Sequence, residues 1–161
     1  MSLTGSIPDW AELYSKAYKH LKPGGWIQDC EMDVKVQSDH IDVPDDHISH
    51  EWGRLYYECG EKMGRTFAIA CQHNMRDAMA KAGFVDVTEV VFKAPCHAWP
   101  KDPKLQQAGL LLYAMLDQSL EGFGMFLFTT LLGWTSEEVL VFTAKMREEL
   151  KKRSSCWWIR T

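Results

Sequence analysis

The hydrophobic and polar positions of this chain follow two different periods, and the switches between them predict helices and strands. In residues 8–20 the apolar side chains recur at i, i+3, i+4 and i+7, the spacing of one buried helical face. Residues 26–34, 85–92 and 156–161 are instead short, strand-like runs rich in apolar side chains. Further helices are predicted at about 47–64, 74–82 and 104–119 and from 136 onward, while residues 120–134 are apolar on nearly all sides, which indicates burial or a cavity wall.

The residues that connect these elements agree with the element boundaries that the hydrophobic periodicity predicts. Pro23 cannot continue a helix, and Gly24 and Gly25 can adopt the positive φ that a sharp reversal needs. Thr135 and Glu138 match the capping box that begins the last helix. With the apolar residues 120–134 counted as a helix, the order is helix, strand, two helices, strand, three helices, strand. This order predicts a single α/β domain over residues 1–161, with about three strands and covering helices.

Composition and charge narrow the classes of function. The 161 residues carry 18 Lys and Arg against 22 Asp and Glu, a net charge of −4 with no basic stripe, so we expect no nucleic-acid partner. No apolar run approaches the roughly 20 residues of a membrane span, and the polar N-terminus lacks a signal-peptide pattern. Five cysteines without a C-x-x-C pair favour reduced thiols, so we expect a cytoplasmic protein that does not bind membranes.

Three carboxylates at alternate positions are the main chemical signal. In the predicted strand 26–34, Asp29, Glu31 and Asp33 share a face with Ile27, whereas a parallel strand covered on both faces is normally almost entirely apolar. Ligands of open α/β sheets bind at the carboxyl ends of the strands. We therefore expect Glu31 or Asp33 to act as a general acid or base. The alternative is that this face is open to water and the acids are only solvated.

Histidines and cysteines provide weaker candidates. His47 and His50 have the i, i+3 spacing of metal ligands, but a solvated loop followed by a helix cap explains them equally well, and we expect no metal. A thiol beside a possible base would be a candidate nucleophile, and such neighbours occur as Cys71 with His73 and Cys96 with His97.

Large apolar side chains provide candidates for a substrate pocket. Trp52 and Tyr56 are i, i+4 neighbours on one helical face, a pattern equally compatible with capping a substrate and with core packing. Tyr113, Met125 and Phe128 are core residues by default, and they are the expected apolar wall if a pocket exists.

The turn Leu-Lys-Pro-Gly-Gly-Trp at residues 21–26, between a helix and a strand, resembles the segment after the fourth strand of class I S-adenosylmethionine-dependent methyltransferases. More specifically, the chain resembles the methyltransferase-like group that includes the global regulator of fungal secondary metabolism. The stretches that carry this resemblance extend from near the first residue almost to the last: 5–10, 21–26, 31–33, 82–87, 99–103 and 132–134.

The resemblance covers the second half of such a methyltransferase. In that family the glycine-rich cofactor loop and the acidic residue for the ribose belong to the first half, and neither has a counterpart here. The resemblance therefore implies a truncated Rossmann-like methyltransferase fold without the cofactor-binding N-terminal half, with helical cap segments at about 45–65 and 104–134 and no cofactor. The open edge of strand 26–34 would then need a partner, and we expect a homodimer through it, or a separate chain that supplies the missing half.

These expectations combine into a functional hypothesis. The chain would be a cofactor-independent cyclase or isomerase of secondary metabolism, for example a pericyclase of the Diels–Alder type, because such a reaction mainly needs a shaped apolar cavity. The alternatives are a non-catalytic pseudo-methyltransferase interaction module and a methyltransferase half completed by another chain. The residues expected to act on an apolar small molecule are Glu31, Asp33, Tyr56 and His73 as catalytic groups, and Trp52, Tyr113, Met125 and Phe128 as substrate-binding groups.

Overall fold

The computed structural model describes residues 3–71 and 73–161, which form helices around a small sheet. Gln72, between the candidate neighbours Cys71 and His73, lies outside the described residues. In chain order the elements are α1 (Trp10–His20), β1 (Val36–Gln37), α2 (Ile48–Met63), α3 (Asn74–Ala82), β2 (Lys93–Pro95), α4 (Pro103–Leu131), α5 (Ser136–Lys151), a 3-10 turn (Arg153–Ser155) and β3 (Trp158–Arg160). The predicted α/β class is confirmed.

The C-terminal strand β3 lies between β1 and β2 and is antiparallel to both. Ile159 is the central residue, because it lies opposite Val36 on one side and Ala94 on the other. The pairing extends slightly past the strand ends. The Asp33 N–H donates to the carbonyl of Arg160 at 2.9 Å, and Phe92 and Thr161 exchange two backbone hydrogen bonds of 2.9 and 3.0 Å.

The predicted strands 26–34 and 85–92 are the main errors in the sequence-based elements. Regular pairing begins only after them, in β1 and β2, and within the described chain no backbone–backbone hydrogen bond joins residues 26–30 or 85–91 to another segment. Among the described residues, the hydrogen bonds of the sheet reach Asp33 on one side of β3 and Phe92 on the other.

Local capping sets the helix boundaries. Helix α1 begins at Trp10 because the Asp9 side chain accepts from the Glu12 N–H. Helix α2 is capped by the His47 side chain, which accepts from the Ser49 N–H. Helix α5 has the predicted capping box, and its buried residues form one stripe of Val139, Phe142, Thr143, Met146 and Leu150.

Aromatic rings fill the main core between α2, α4 and α5. Trp52 stacks on Phe142 with ring centroids 6.0 Å apart, and Phe128 contacts the rings of both Tyr56 and Trp134 at 5.4 Å. A smaller core between α1 and α3 contains Trp10, Tyr14, Ile69 and Met79. Residues 103–131 form one long helix whose inner side packs into the main core, while its outer side leaves Phe123 and Phe126 exposed. Among residues 3–71 and 73–161, no helix combines the length and apolar character needed to cross a membrane.

Gly109 allows α4 to lie directly against the loop that follows β2. A Cβ at this position would come within 2.2 Å of the His97 carbonyl oxygen, whereas a Cβ at Gly122 of the same helix would meet no atom within 4 Å. We expect Gly109→Ala to destabilise the protein by about 1–3 kcal/mol through overpacking. Gly122→Ala, the matched control, is expected to be neutral or stabilising by up to about 1 kcal/mol, because alanine has the higher helix propensity.

Urea unfolding followed by circular dichroism measures both changes. Equal midpoints for Gly109→Ala and Gly122→Ala would show that the close contact between α4 and the His97 carbonyl does not contribute to the fold.

Candidate functional site

The acid-bearing segment 26–33 keeps the predicted alternation although it is not a strand. Glu31 and Asp33 point inward and are only 2% and 4% exposed, while Trp26 on the other face is 86% exposed. An extended chain directs successive side chains to opposite sides whether or not its backbone is paired. The shared face of the acids is therefore a property of the local sequence, whereas the burial of that face is decided by the tertiary structure.

The Glu31 carboxylate holds the N-terminal segment of the described chain. It accepts hydrogen bonds from the Leu3 N–H at 2.8 and 2.9 Å, from the Thr4 N–H at 2.9 Å and from the Thr4 hydroxyl at 2.7 Å. Hydrogen bonds to a buried carboxylate are among the stronger ones in proteins. These contacts assign Glu31 an anchoring role that the sequence pattern did not suggest.

Asp33 forms a triangle with Tyr57 and Cys71. The Tyr57 hydroxyl donates to Oδ1 at 2.7 Å, the Cys71 thiol donates to Oδ2 at 3.1 Å, and the Tyr57 oxygen and Cys71 sulfur are 3.2 Å apart. Burial raises the pKa of Tyr57, and its contacts with Cys71 and Asp33 raise it further. Burial also raises the pKa of the Cys71 thiol, with a further increase from Asp33 that the Tyr57 hydrogen bond partly opposes. Both partners therefore remain protonated donors at neutral pH.

Tyr57 is the residue that sequence analysis missed. It directly follows Tyr56 in α2 and so points to a different side of the helix, toward the acid-bearing segment. The sequence did contain a signal, because a second tyrosine directly follows Tyr56. An acid buried against this side of α2 needs a hydrogen-bond donor there, and Tyr57 supplies one. Asp29 is held in a similar way, because the Tyr14 hydroxyl of α1 donates to it at 2.6 Å.

The four predicted catalytic residues contact different parts of the fold. Tyr56 lies in the aromatic core, where its hydroxyl is buried and has no hydrogen-bond partner among the described residues, and burial raises its pKa. His73 is exposed at the start of α3, with a φ of 62°, and pairs with Glu89. Because Glu31 and Asp33 bind Thr4 and Tyr57 instead, the structure does not bring the four side chains into one constellation.

The predicted substrate-binding residues are mostly packed. Trp52 and Phe128 are buried core residues whose rings lie 6.3 Å apart, and Met125 is half-buried against the same core. Tyr113 lies elsewhere on α4, with its ring 4.6 Å from that of His97. Their role as a substrate wall remains a prediction, since these contacts are with the protein's own side chains.

The candidate metal and thiol sites also have structural roles. His47 caps α2 and lies 3.4 Å from Glu149, and no group of three or more His, Cys, Asp or Glu suited to a metal occurs in the described part of the chain. Burial raises the pKa of Cys96 to about 12. Burial and the nearby charge of Arg153 lower the pKa of His97. The His97 Nδ1 accepts from the Ala98 N–H, so it is already engaged by the backbone.

One unfilled space is a groove of about 390 Å³ between the segments 24–29 and 84–90. Met75, Met79 and Phe84 contribute apolar side chains to its lining, which also includes charged groups on Asp29, Arg76, Asp86 and Glu89. The two segments are parts of the predicted strands that lack backbone partners, so the groove lies where strand pairing is incomplete. None of the predicted catalytic residues lines it.

Comparison with known proteins gives one consistent group of relatives. The chain is 39% identical over 148 residues to "Methyltransferase pytC" of Aspergillus terreus, covering 91% of this chain and 45% of the relative. It is 32% identical over 151 residues to "Secondary metabolism regulator LAE1" of Cochliobolus heterostrophus, covering 92% and 48%, and 33% identical over 143 residues to "Probable methyltransferase tdiE" of Emericella nidulans, covering 88% and 44%. No family model and no solved structure matches.

The homologues of this chain are therefore fungal methyltransferase-like proteins, including regulators of secondary metabolism, and the resemblance predicted from the sequence is confirmed. The chain spans just under half the length of these relatives. Its single G-x-G triplet, Gly122-Phe123-Gly124, lies inside α4 and not in a turn between a strand and a helix, so it lacks the geometry of a cofactor-binding loop.

The anchoring role of Glu31 predicts a stability change. Glu31→Gln replaces one acceptor oxygen by an amide that cannot accept from the Leu3 and Thr4 donors, and we expect it to cost about 1.5–3 kcal/mol of unfolding free energy. Glu61→Gln, on the exposed surface of α2, is the matched control and should stay within about 0.5 kcal/mol of the parent. Guanidinium unfolding measures both, and an unchanged midpoint for Glu31→Gln would contradict the anchoring role.

Thiol labelling tests whether any cysteine is an activated nucleophile. Cys30 is exposed, whereas Cys59 and Cys96 are buried and have pKa values raised mainly by burial. At neutral pH we expect a maleimide to modify Cys30 first, and Cys59 and Cys96 only after unfolding. Peptide mass spectrometry identifies the modified sites, with Cys30→Ser as the control. Faster labelling of Cys71 than of Cys30 would contradict the protonated state assigned to the Asp33 triangle.

Proposed function

We propose that this chain serves in fungal secondary metabolism as a methyltransferase-like interaction module, rather than as a self-contained catalyst. The observation that carries the proposal is that the acidic side chains of the segment before β1 already have hydrogen-bond partners within the protein. Asp29, Glu31 and Asp33, the groups best suited to chemistry, each accept hydrogen bonds from the protein's own side chains or backbone. Hydrogen bonds of this kind give each carboxylate a structural role, and proton exchange with a substrate would have to replace them.

The packing of the core supports the same proposal. A cofactor-independent cyclase needs an enclosed apolar cavity of the substrate's size. Trp52, Tyr56 and Phe128, which were expected to form such a cavity, instead contact one another within 4.9–6.3 Å. The groove between the segments 24–29 and 84–90 is open, which suits a macromolecular partner better than a closed reaction chamber.

The second supporting feature is backbone without hydrogen bonds to other segments. Residues 26–30 and 85–91 form no backbone–backbone hydrogen bonds with other segments in the described chain. Edges of this kind promote pairing with another chain, and natural proteins usually cover or blunt them. A second copy docking through the edge 26–34 and a different polypeptide are both compatible with this feature, so the expected homodimer stays a prediction.

One observation favours the cyclase or isomerase hypothesis. The Tyr56 hydroxyl is buried without a hydrogen-bond partner among the described residues, and unsatisfied buried polar groups are often functional. Such a hydroxyl could stabilise charge on a substrate that displaces part of the aromatic core. If the chain is a cyclase or isomerase of this kind, Tyr56 is essential for product formation. If it is an interaction module, Tyr56 is not essential.

The test compares secondary metabolites of a producing fungus with the chain deleted, restored, or restored as Tyr56→Phe. For an interaction module, we expect deletion to lower the product without accumulation of an uncyclised precursor. We expect Tyr56→Phe to restore the product in full. The variant should be as stable as the parent or more stable, because a buried unsatisfied hydroxyl costs about 1–3 kcal/mol.

Accumulation of a precursor after deletion, together with loss of product in Tyr56→Phe, would overturn the proposal in favour of catalysis. Exposed Tyr18→Phe is the matched control for the substitution itself. Calorimetry of the isolated chain with S-adenosylmethionine is a separate check, since measurable binding would show that this chain is itself a cofactor-dependent unit.

A further inference from the structure

We infer that the outer side of α4 is the interface of a two-fold symmetric dimer, in which the α4 helices of two copies of this chain pack in opposite directions. We call this surface the α4 face and define it by the exposed residues Ala108, Leu111, Met115, Gln118, Gly122 and Phe126. Three features carry the inference: the absence of charge, the exposed apolar area, and the match of large with small side chains. The inference goes beyond the proposed function, because self-association does not depend on what the chain does in metabolism.

The outer side of α4 is uncharged along nearly the whole helix. Residues 105–131 all belong to the described chain, and none of the exposed ones carries a charge. The acidic residues of this stretch, Asp117 and Glu121, are engaged by α5, where the Arg147 guanidinium lies 3.1 Å and 2.7 Å from their carboxylates. A helix that faces water normally has charged and polar residues on its outer side. The α4 face therefore has the composition of a helix side that is covered.

Large apolar side chains make this uncharged surface extensive. Leu111 and Phe126 are 67% and 63% exposed, and Leu110, Met115 and Phe123 are exposed by 42–48%. At 1.5 Å per residue the stretch 105–131 is about 40 Å long, and a helix is about 10 Å wide, so it presents about 400 Å² in projection. Apolar patches of this size mark interaction surfaces. The area corresponds to the smaller protein–protein interfaces, so we expect a dissociation constant of about 1–100 µM.

The spacing of the residues suits a second helix. Along the α4 face the steps from Ala108 to Leu111, Met115, Gln118 and Gly122 alternate between three and four residues. This alternation keeps the residues in one stripe along the helix, and it is the spacing of helices that pack side by side over many turns. The stripe therefore favours a helical partner that lies nearly parallel or antiparallel to α4.

The sizes of the side chains identify a second copy in the opposite direction as that partner. When two α4 helices are paired about a two-fold axis midway between Met115 and Gln118, Leu111 of each copy lies opposite Gly122 of the other, and Met115 lies opposite Gln118. Phe126 lies opposite Ala108 in the same arrangement. A Cβ built at Gly122 meets no atom within 4 Å, so there is room for the Leu111 side chain. Large side chains facing small ones are the arrangement that fills a helix interface.

The alternatives match the α4 face less well. A parallel pair in register would place Lys104 against the Lys104 of the other copy and Gly122 against Gly122, which combines charge repulsion with an unfilled gap. A strongly charged partner would find no opposite charge on the α4 face. A second copy brings an equally uncharged surface of matching shape, and a two-fold axis repeats each contact.

Sedimentation equilibrium of the full chain from about 1 to about 500 µM tests the dimer. We expect a reversible monomer–dimer equilibrium in the micromolar range. Leu111→Glu with Phe126→Glu should raise the dissociation constant at least about tenfold, because association would bury unpaired carboxylates. Val141→Glu changes a residue of α5 that is 57% exposed and lies outside the α4 face, and as the matched control it should leave the dissociation constant unchanged. Circular dichroism confirms that the variants are folded.

A charge swap tests the direction and register of the two helices. Leu111→Glu and Gly122→Lys are made in separate chains, and each chain alone should dimerise at least about tenfold more weakly than the parent. When the two chains are mixed, we expect a one-to-one dimer to re-form. The antiparallel register places the introduced glutamate of one chain opposite the introduced lysine of the other, while the second Leu111–Gly122 contact is kept. A mixture that associates no better than either chain alone would overturn this register.

The remaining outcomes are equally decisive. A chain that stays monomeric at all concentrations would overturn the dimer, and so would a dimer that Leu111→Glu with Phe126→Glu leaves intact. Co-sedimentation of a monomer with phosphatidylcholine vesicles, lost in the same double variant, would identify a bilayer surface as the occupant and would also overturn it. None of these results depends on the metabolite experiment, so failure of the dimer and failure of the proposed function are distinguishable.

Discussion

The antiparallel pairing of β3 with both of its neighbours is the constraint on which the rest of the structure depends. It joins residues near the end of the chain to Val36 and Ala94, which lie far apart in the sequence. Where the pairing continues, to Asp33 and Phe92, the flanking segments are held in place. These hydrogen bonds therefore fix where the segments before β1 and β2 enter the sheet.

The buried carboxylates illustrate how a functional pattern can serve the fold. Glu31 collects donors from the N-terminal segment, Asp33 joins Tyr57 of α2 to Cys71, and Asp29 binds Tyr14 of α1. Each acid thus connects the segment before β1 to a different element. These side-chain hydrogen bonds give the segment before β1 a defined position, although the segment is not a regular strand.

Relatives named as methyltransferases and as regulators of secondary metabolism share most of this chain, while the chain matches less than half of each of them. Because each match covers about nine-tenths of this chain, the resemblance belongs to the chain as a whole and not to a single motif such as the turn at residues 21–26.

The sequence by itself determined the features that depend on neighbouring residues: the capping box at Thr135, the placement of Asp29, Glu31 and Asp33 on one face, and the methyltransferase-like relationship. Only the tertiary structure decided that Glu31 and Asp33 are buried and which partners they meet, since Tyr57 and Cys71 reach Asp33 through packing of distant elements. It also decided that residues 26–30 and 85–91 form no backbone hydrogen bonds with other segments of the described chain. Strand formation requires a partner strand from elsewhere in the chain, and no local pattern of side chains can reveal whether that partner is present.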